Sequence, residues 1–255
     1  MSIGAVADMI AALALPDDTR VERRVPKKLL LEQGAPTASD KRQIQEGIED
    51  LVWIAALKPN NIGVPPLQDG VREYLEIAVL AATLRENAKS TRLTELIHRA
   101  IPYPVVLVSV QADSQSLSLA HKRWSQGEAG AVVIEEVRRT SPMPQTLPAP
   151  IDAAFLASIA LSGLHAADLF ELYQSWIDRV IALEAASITG AFAIPETTDR
   201  ATARREALAA HSRLRRDIAG LRAQAERETQ MNRRVELNLS IKRLEGELAT
   251  LEKIL

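Results

Sequence analysis

Two prolines separated by one residue, Pro102 and Pro104, constrain the fold of this chain more than any other feature. A proline disfavours the helical conformation in the residue before it, so Ile101 and Tyr103 must be extended. Apolar side chains recur at helical spacing in residues 90–100, before this corner. Residues 105–110 after it, VVLVSV, are the continuous apolar run of a central strand. The corner therefore predicts a helix that leads directly into a buried strand.

The remaining segments predict a mixed α/β fold of α+β character, with a small mixed sheet flanked by helices. Apolar runs and turn residues predict strands at 21–25, 72–84, 105–110, 116–124 and 131–137. The last three are closely connected, so we expect an antiparallel meander. Helices are predicted at 2–15, 40–57, 90–100, 152–160 and 166–188. The helix at 40–57 has an N-cap signal that begins at Thr37.

These elements predict four regions along the chain. We expect an α/β body at 1–140, a proline-rich linker or strap at 141–150, and a helical segment packed on the body at 151–195. Residues 196–255 are predicted to form a coiled-coil tail. The tail from Thr198 carries a net charge of +4 and the rest of the chain −6, which marks the tail as a separate unit.

The tail contains two apolar seams at heptad spacing that are out of phase with each other. The discontinuity lies in the polar stretch 226–234. Either one helix of about 84 Å accommodates the shift, or the chain bends into a helical hairpin. Because no proline interrupts the stretch, the continuous helix is favoured. A long apolar seam must be covered, which predicts oligomerisation or a helical partner through Leu214, Ile218, Leu221, Leu237, Ile241, Leu244, Leu248 and Leu251.

Several classes of site are excluded by composition and spacing. There is no cysteine, so disulfides, thiolate metal sites and cysteine nucleophiles are excluded. The glycines form neither a phosphate-binding nor a dinucleotide-binding motif, and no metal site or resident cofactor is predicted. His98 is expected to complement the dipole at the end of its helix. No apolar run reaches the length of a membrane span, so we expect a cytoplasmic protein without membrane contact.

Two basic clusters are the best candidates for binding nucleic acid. They consist of Arg23, Arg24, Lys27 and Lys28, on and after the predicted edge strand, and of His121, Lys122 and Arg123. Contacts of such groups to phosphate are sensitive to salt and blind to sequence. The alternative is a solvated edge strand without a ligand. Only 4% of the residues are aromatic, which argues against base stacking.

The most distinctive motifs of the chain are VPKK at 25–28 and IPYP at 101–104. With the order of the segments around them, over about residues 15–185, they resemble a bacterial family, the domain-of-unknown-function family 4391. The resemblance implies a cytosolic bacterial protein encoded beside DNA methyltransferases and helicases of restriction and phage-defence loci. It implies no activity and no catalytic residue. The chain departs from the family pattern at Ala78 and Ala81, and its 121–123 triplet is more basic.

Two functions follow as expectations. The first is a non-catalytic accessory subunit of a restriction or antiphage-defence system, which binds a DNA methyltransferase or helicase, binds DNA, and oligomerises through its tail. The second is a Mg²⁺-dependent nuclease of the restriction type, with Glu73, Glu76 and Lys122 as catalytic residues. Against the second, Glu76 is followed by Ile77 and Ala78, so the strand lacks an acid-x-lysine pair.

Overall fold

The computed structural model describes residues 7–127, 130–146 and 148–255. It divides the chain into two compact units, Met1–Val180 and Ile181–Leu255. The predicted first helix is present as α1 (Ala7–Ala12), and residues 2–6 of that prediction lie outside the described residues. The division falls within a later helix, α7 (Leu169–Thr189).

The described part of the first unit is built on a seven-stranded mixed sheet. Its strands are β1 (Arg20–Arg24), β2 (Ile48–Leu57), β5 (Ile77–Leu84), β6 (Val105–Gln111), β7 (Ser114–Trp124), β8 (Val132–Arg139) and β9 (Met143–Pro144). The order is β1-β2-β5-β6-β7-β8, and β9 pairs with β7. A separate pair consists of β3 (Leu67–Gln68) and β4 (Glu73–Tyr74). The predicted mixed α/β fold is confirmed.

The proline corner joins α5 (Ser90–Ala100) to β6, as the sequence predicts. β5 and β6 are parallel, with α5 as the crossover between them, and every other neighbouring pair in the described sheet is antiparallel. The carbonyl of Pro104 accepts a hydrogen bond from the amide of Ala78 at 2.9 Å. The corner therefore fixes the start of β6 beside the start of β5.

Helices cover both faces of this sheet. On one face, α2 (Lys27–Gln33), α3 (Ala38–Gly47) and α5 share a core with alternate residues of β2, β5 and β6. Val106 and Val108 alternate with that set and are also fully buried, so the opposite face is covered as well. Tyr173 of α7 donates a hydrogen bond to the carbonyl of Val105 at 2.7 Å. Trp176 of α7 donates to Ile159, which follows α6 (Pro150–Ser158).

The predicted helix at 40–57 is wrong in its second half. Thr37 caps α3 as expected by accepting from the amide of Asp40 at 3.1 Å, but the helix ends at Gly47 and β2 begins at Ile48. β2 lies between β1 and β5, and its last four residues are buried. A strand buried on both faces loses the alternation of polar and apolar residues, and β2 therefore has the apolar spacing of a helix in sequence.

The favoured continuous tail helix is also wrong, because the tail is a helical hairpin. α8 (Thr198–Arg227) and α9 (Met231–Glu252) are separated by Glu228–Gln230, within the polar stretch where the two seams lose phase. The guanidinium of Arg222 lies 2.7 Å from the carboxylate of Glu245 across the hairpin. The change of phase marks the bend.

The two seams pack against each other within one chain. Ile218, Ala225 and Ile241 are buried between the helices, and the surrounding partly buried members are Leu221, Leu237, Leu244 and Leu248. The argument that a second chain must cover these seams therefore fails, since α8 and α9 cover each other. A short helix, α4 (Pro59–Ile62), completes the set of described α-helices.

Candidate functional site

Lys122 is an internal side chain rather than a surface cation. Only 3% of it is exposed. Its ammonium donates to the carbonyl of His98 at 2.6 Å and to the carbonyl of Ile101, at the end of α5. Burial lowers the pKa of Lys122 to about 7. The group caps α5, and its prediction as a DNA-binding surface residue is contradicted by its burial.

His98 is buried beside this lysine, and its predicted role at the helix dipole is wrong. Its Nε2 lies 3.1 Å from the hydroxyl of Ser118. Burial, and then the charge of Lys122, lower the pKa of His98 to about 3, so the imidazole is neutral at physiological pH. Arg99 remains the cation in the last turn of α5.

The other two members of the 121–123 triplet point to different surroundings. His121 is partly buried, with Nδ1 2.5 Å from the hydroxyl of Tyr74 and Nε2 2.8 Å from the amide oxygen of Gln174. Its ring stacks on Phe170 at 4.8 Å between centroids. Arg123 is half-buried, and its guanidinium donates to the carbonyl of Trp124 at 3.3 Å. The triplet therefore does not form one basic patch.

A cavity of about 220 Å³, here called the corner cavity, opens beside the proline corner. It brings together the three residues predicted for a nuclease, Glu73, Glu76 and Lys122. A carboxylate oxygen of Glu76 lies 3.1 Å from the ammonium of Lys58, and Glu73 accepts from the amide of Gln68 at 2.9 Å. In the part of the chain that the structure describes, no group of three or more histidine, aspartate or glutamate side chains can hold a metal ion.

Apart from Arg123, the rest of the lining of the corner cavity is apolar and aromatic. Tyr103 and Trp124 both line it, and 40% of Tyr103 is exposed. The ring of Tyr103 also lies 6.1 Å from that of Trp53, tilted by 45°. Leu75 and Val132 add exposed apolar surface to the lining. The cavity can therefore accept a flat, apolar ring.

The second candidate site is the predicted cluster of Arg23, Arg24, Lys27 and Lys28, which together with Arg20 is here called the basic edge. β1 is the outer strand of the sheet, and Arg20, Arg23 and Arg24 on it are exposed. Arg24 pairs with Asp50 at 2.6 Å. Lys28 follows in α2 and is also exposed, at 3.7 Å from Glu32. The edge strand that the sequence predicts is thus confirmed, and its cations face solvent.

Sequence reasoning missed one cation of this edge, Arg85, which comes directly after β5. The ammonium of Lys27 donates to the carbonyl of Gln45 at 3.3 Å. Its pKa is lowered by burial and then by the positive charges of Arg85 and Arg24, although Asp50 and Glu49 oppose this. Arg85 therefore joins Arg24 and Lys27 in one basic cluster. The sequence feature that could have identified Arg85 is its position directly after an apolar run, which forms β5 beside β2.

The comparisons with known proteins bear on the family alone. No helix in the described ranges has the length and apolar character that crossing a membrane requires. No curated protein and no solved structure matches the chain significantly. One family model matches residues 13–248, which include most of the helical hairpin that the sequence resemblance left out. The chain belongs to the family of the domain of unknown function DUF4391.

Proposed function

We propose that this chain is a non-catalytic accessory subunit of a bacterial restriction or antiphage-defence system. It binds nucleic acid through the basic edge and partner proteins, such as a DNA methyltransferase or helicase, through the helical hairpin. The biological setting rests on the resemblance described above. The binding role rests on the geometry of the basic edge and of the hairpin.

The observation that carries the proposal is the basic cluster of Arg24, Lys27 and Arg85. Burial, and then the positive charges of Arg85 and Arg24, disfavour the charged form of Lys27 and lower its pKa. A phosphate placed between these cations would relieve their repulsion. Arg24 ends β1, Lys27 begins α2 and Arg85 directly follows β5, so the cations are positioned before a ligand arrives.

The exposed arginines of β1 extend the cluster into a longer surface. Arg20 lies opposite Ala55 and Arg24 opposite Val52 in the β1–β2 ladder, so the cations run along the edge of the sheet. Such a line of charges suits a phosphate backbone and carries no sequence information. Binding should therefore weaken steeply as salt is added.

The experiment is binding of a fluorescently labelled DNA duplex at several salt concentrations. Replacing Lys27 or Arg85 of the cluster, or Arg20, Arg23 or Lys28 of the edge, by alanine should lower the slope of log affinity against log salt by about 0.9 for each phosphate that is no longer neutralised. Arg243→Ala is the matched control, because it removes an exposed arginine of α9 that lies 3.8 Å from Glu247. Absence of wild-type binding, or slopes equal to the control, contradicts the proposal.

A metal-dependent nuclease is the second candidate, because Glu73, Glu76 and Lys122 line one cavity. The geometry favours the accessory role, since Lys122 caps α5 and Glu76 pairs with Lys58. Incubation of DNA with the protein and Mg²⁺ separates the two. We expect no cleavage. Cleavage that disappears in Glu76→Gln and persists in Glu46→Gln would replace the accessory role by the nuclease.

The outer face of α9 supports the protein-binding part of the proposal. Met231, Val235 and Leu239 are four residues apart, share one helix face and are 49–64% exposed. If two copies meet antiparallel at Val235, Met231 faces Leu239 of the second copy. This contact is self-complementary. It is smaller than a standard interface of about 1,200–2,000 Å², so the association is weak.

Sedimentation equilibrium over a wide range of protein concentration tests this contact. The apparent mass of the wild type should rise with concentration, and Val235→Glu should remain monomeric. Ala219→Glu, an exposed position on α8, adds the same charge to the other helix and should behave as wild type. Equal behaviour of all three proteins removes self-association from the proposal.

A further inference from the structure

We propose that the corner cavity binds an unpaired base of a single-stranded nucleic acid. This inference rests on the proposed function, because it assigns a ligand class to a protein that binds phosphate along its basic edge. A base site would also give the chain a preference for single strands and for particular bases. The basic edge alone cannot supply this preference, because contacts to phosphate do not distinguish bases or single strands from duplexes.

The first support is the concentration of aromatic rings at this corner. The chain has three tryptophans, three tyrosines and three phenylalanines, and Trp53, Tyr103 and Trp124 are at or beside the cavity. None of these three is fully buried. Bases of single strands stack on such side chains whatever their sequence, because each base has a π face. The low aromatic content of the sequence therefore misleads, because the fold gathers one third of the rings.

The second support is a cation on each side of these rings. Arg23 of the basic edge is the Cα partner of Trp53 across β1 and β2, and Trp53 is in contact with Tyr103. Arg123 lines the cavity from β7, which β5 and β6 separate from β2 in the sheet. A strand whose base enters the cavity can therefore place neighbouring phosphates near Arg23 and Arg123. Phosphate contacts of this kind position the chain while the base occupies the cavity.

The third support is the size and polarity of the cavity. Its volume of about 220 Å³ is below the roughly 300–1,000 Å³ of sites that enclose drug-sized ligands, so it suits one planar ring system. Glu73 and Glu76 are its acidic lining. A carboxylate accepts hydrogen bonds from the amino group of cytosine, and adenine and guanine carry amino groups too. Thymine lacks one, so oligo-dT should bind more weakly than oligo-dC.

A peptide is the competing occupant, because Leu75 and Val132 are exposed beside the rings. The two flanking arginines favour a strand with phosphates over an apolar peptide. The carboxylates repel phosphate, and this keeps the backbone at the rim while the base enters. These charges make the nucleic acid the better match to the whole surface.

The experiment measures binding of labelled oligo-dC, oligo-dT and a duplex of equal length by fluorescence anisotropy. We expect oligo-dC to bind more tightly than oligo-dT. Tyr103→Ala should weaken oligo-dC binding about tenfold, in line with the loss of one stacked base, and should leave duplex binding unchanged. Tyr103→Phe keeps the ring and should bind as wild type. Ile254→Ala, which removes an exposed apolar side chain that follows α9, is the control, and circular dichroism checks that each variant is folded.

The outcomes separate this inference from the proposed function. If the wild type binds the duplex and both oligonucleotides equally and Tyr103→Ala changes nothing, the base site is wrong and the basic edge stands. If the wild type binds no nucleic acid, both fail. If Tyr103→Ala loses binding of an apolar decapeptide and retains oligo-dC binding, the cavity is a peptide site and the inference is overturned.

Discussion

The ammonium of Lys122 lies 2.6 Å from the carbonyl oxygen of His98, inside the protein. One side chain of β7 thereby closes the end of α5 just before the chain turns through the two prolines. A lysine whose sequence context predicts a phosphate ligand or a catalytic group is thus part of the framework of the corner. This relationship has a consequence for stability that can be measured.

Lys122 should make the stability of the protein depend on alkaline pH. Its pKa is about 7 in the folded chain, compared with 10.5 for an exposed lysine. Between these values the unfolded chain holds a proton that the folded chain has released, so the free energy of unfolding rises with pH. Below about pH 7 both states are protonated, and the full cost of burying the charge persists. The change over the window is on the order of 4 kcal/mol.

Urea unfolding at several pH values between 7 and 10 measures this effect. In Lys122→Met the rise attributable to this group should disappear, so the difference between variant and wild type should vary with pH. Lys28→Met, at an exposed position, should keep the wild-type profile. A constant difference between Lys122→Met and wild type across the range would show that Lys122 keeps an ordinary pKa.

Asp40 should contribute stability at neutral pH that is lost in acid. Arg92 and then Thr37 hydrogen-bond its carboxylate and lower its pKa from 3.8 to about 2, and the bonds from Arg92 are 2.8 and 3.0 Å long. The stabilisation is complete above about pH 4 and lost as the pH falls through 2. Asp40→Asn should therefore unfold more easily than wild type at pH 7, and the two should converge in acid.

Thermal unfolding at pH 7, 4, 3 and 2 checks the Asp40 prediction. Glu46→Gln serves as the control, because Glu46 forms an exposed pair with Arg42 within α3 and such pairs contribute little. A deficit of Asp40→Asn that stays the same from pH 7 to pH 2 would mean that the carboxylate charge is not what stabilises this contact.

Gly34, at the end of α2, should not tolerate a side chain. A Cβ atom there would lie 2.6 Å from the carbonyl oxygen of Leu96 and 2.7 Å from the Cβ of Ala100. Gly34→Ala must push α2 away from α5, and we expect a decrease in stability of about 1–3 kcal/mol, as for other overpacked positions. Chemical denaturation measures it.

Replacing Gly220 by alanine should increase stability, whereas the same substitution at Gly34 should decrease it. Gly220 lies within α8, and no atom approaches within 4 Å of an added Cβ. Gly220→Ala should stabilise α8 by up to about 1 kcal/mol. If Gly34→Ala is as stable as wild type, the close packing of α2 on α5 is not correct.

The hairpin seam should govern stability, whereas the outer face of α9 should not. Ile241→Ala removes a side chain buried between α8 and α9, at a typical cost of about 2–5 kcal/mol. Leu239→Ala removes an equally large side chain that is 64% exposed and should cost little. Helical circular dichroism during urea unfolding distinguishes them. Equal sensitivity of the two positions would mean that the tail is not the hairpin described.

The sequence predicts the elements whose signals are local. The prolines at 102 and 104 mark the α5–β6 junction correctly, and Thr37 marks the start of α3. The sequence of β2 wrongly predicts a helix because a strand that is buried on both faces of the sheet does not alternate polar and apolar residues. The sequence also does not predict how the heptad seams pack. An apolar seam indicates that another surface must cover it, but it does not identify whether that surface belongs to the same chain or to a second chain.

The candidate sites depend on which strands lie next to each other in the sheet, and the periodicity of the sequence does not predict this. Lys122 and Arg123 are adjacent in sequence and both line the corner cavity, yet Lys122 is buried and caps α5 whereas Arg123 is half-buried. Arg85 joins Lys27 only through the pairing of β2 with β5. The aromatic group of Trp53, Tyr103 and Trp124 comes from three separate elements, so the composition alone argued against it.

The parallel pairing of β5 with β6 also bears on the order in which the chain folds. The β5–β6 ladder can form only when residues 85–104, which contain α5, bring the starts of the two strands together. The β6–β7 ladder spans only a two-residue connection, and local contacts of this kind cost less chain entropy to form. We therefore expect refolding to start in the meander and to reach β5 late. The proline corner then marks the point where slow, long-range assembly meets fast, local assembly.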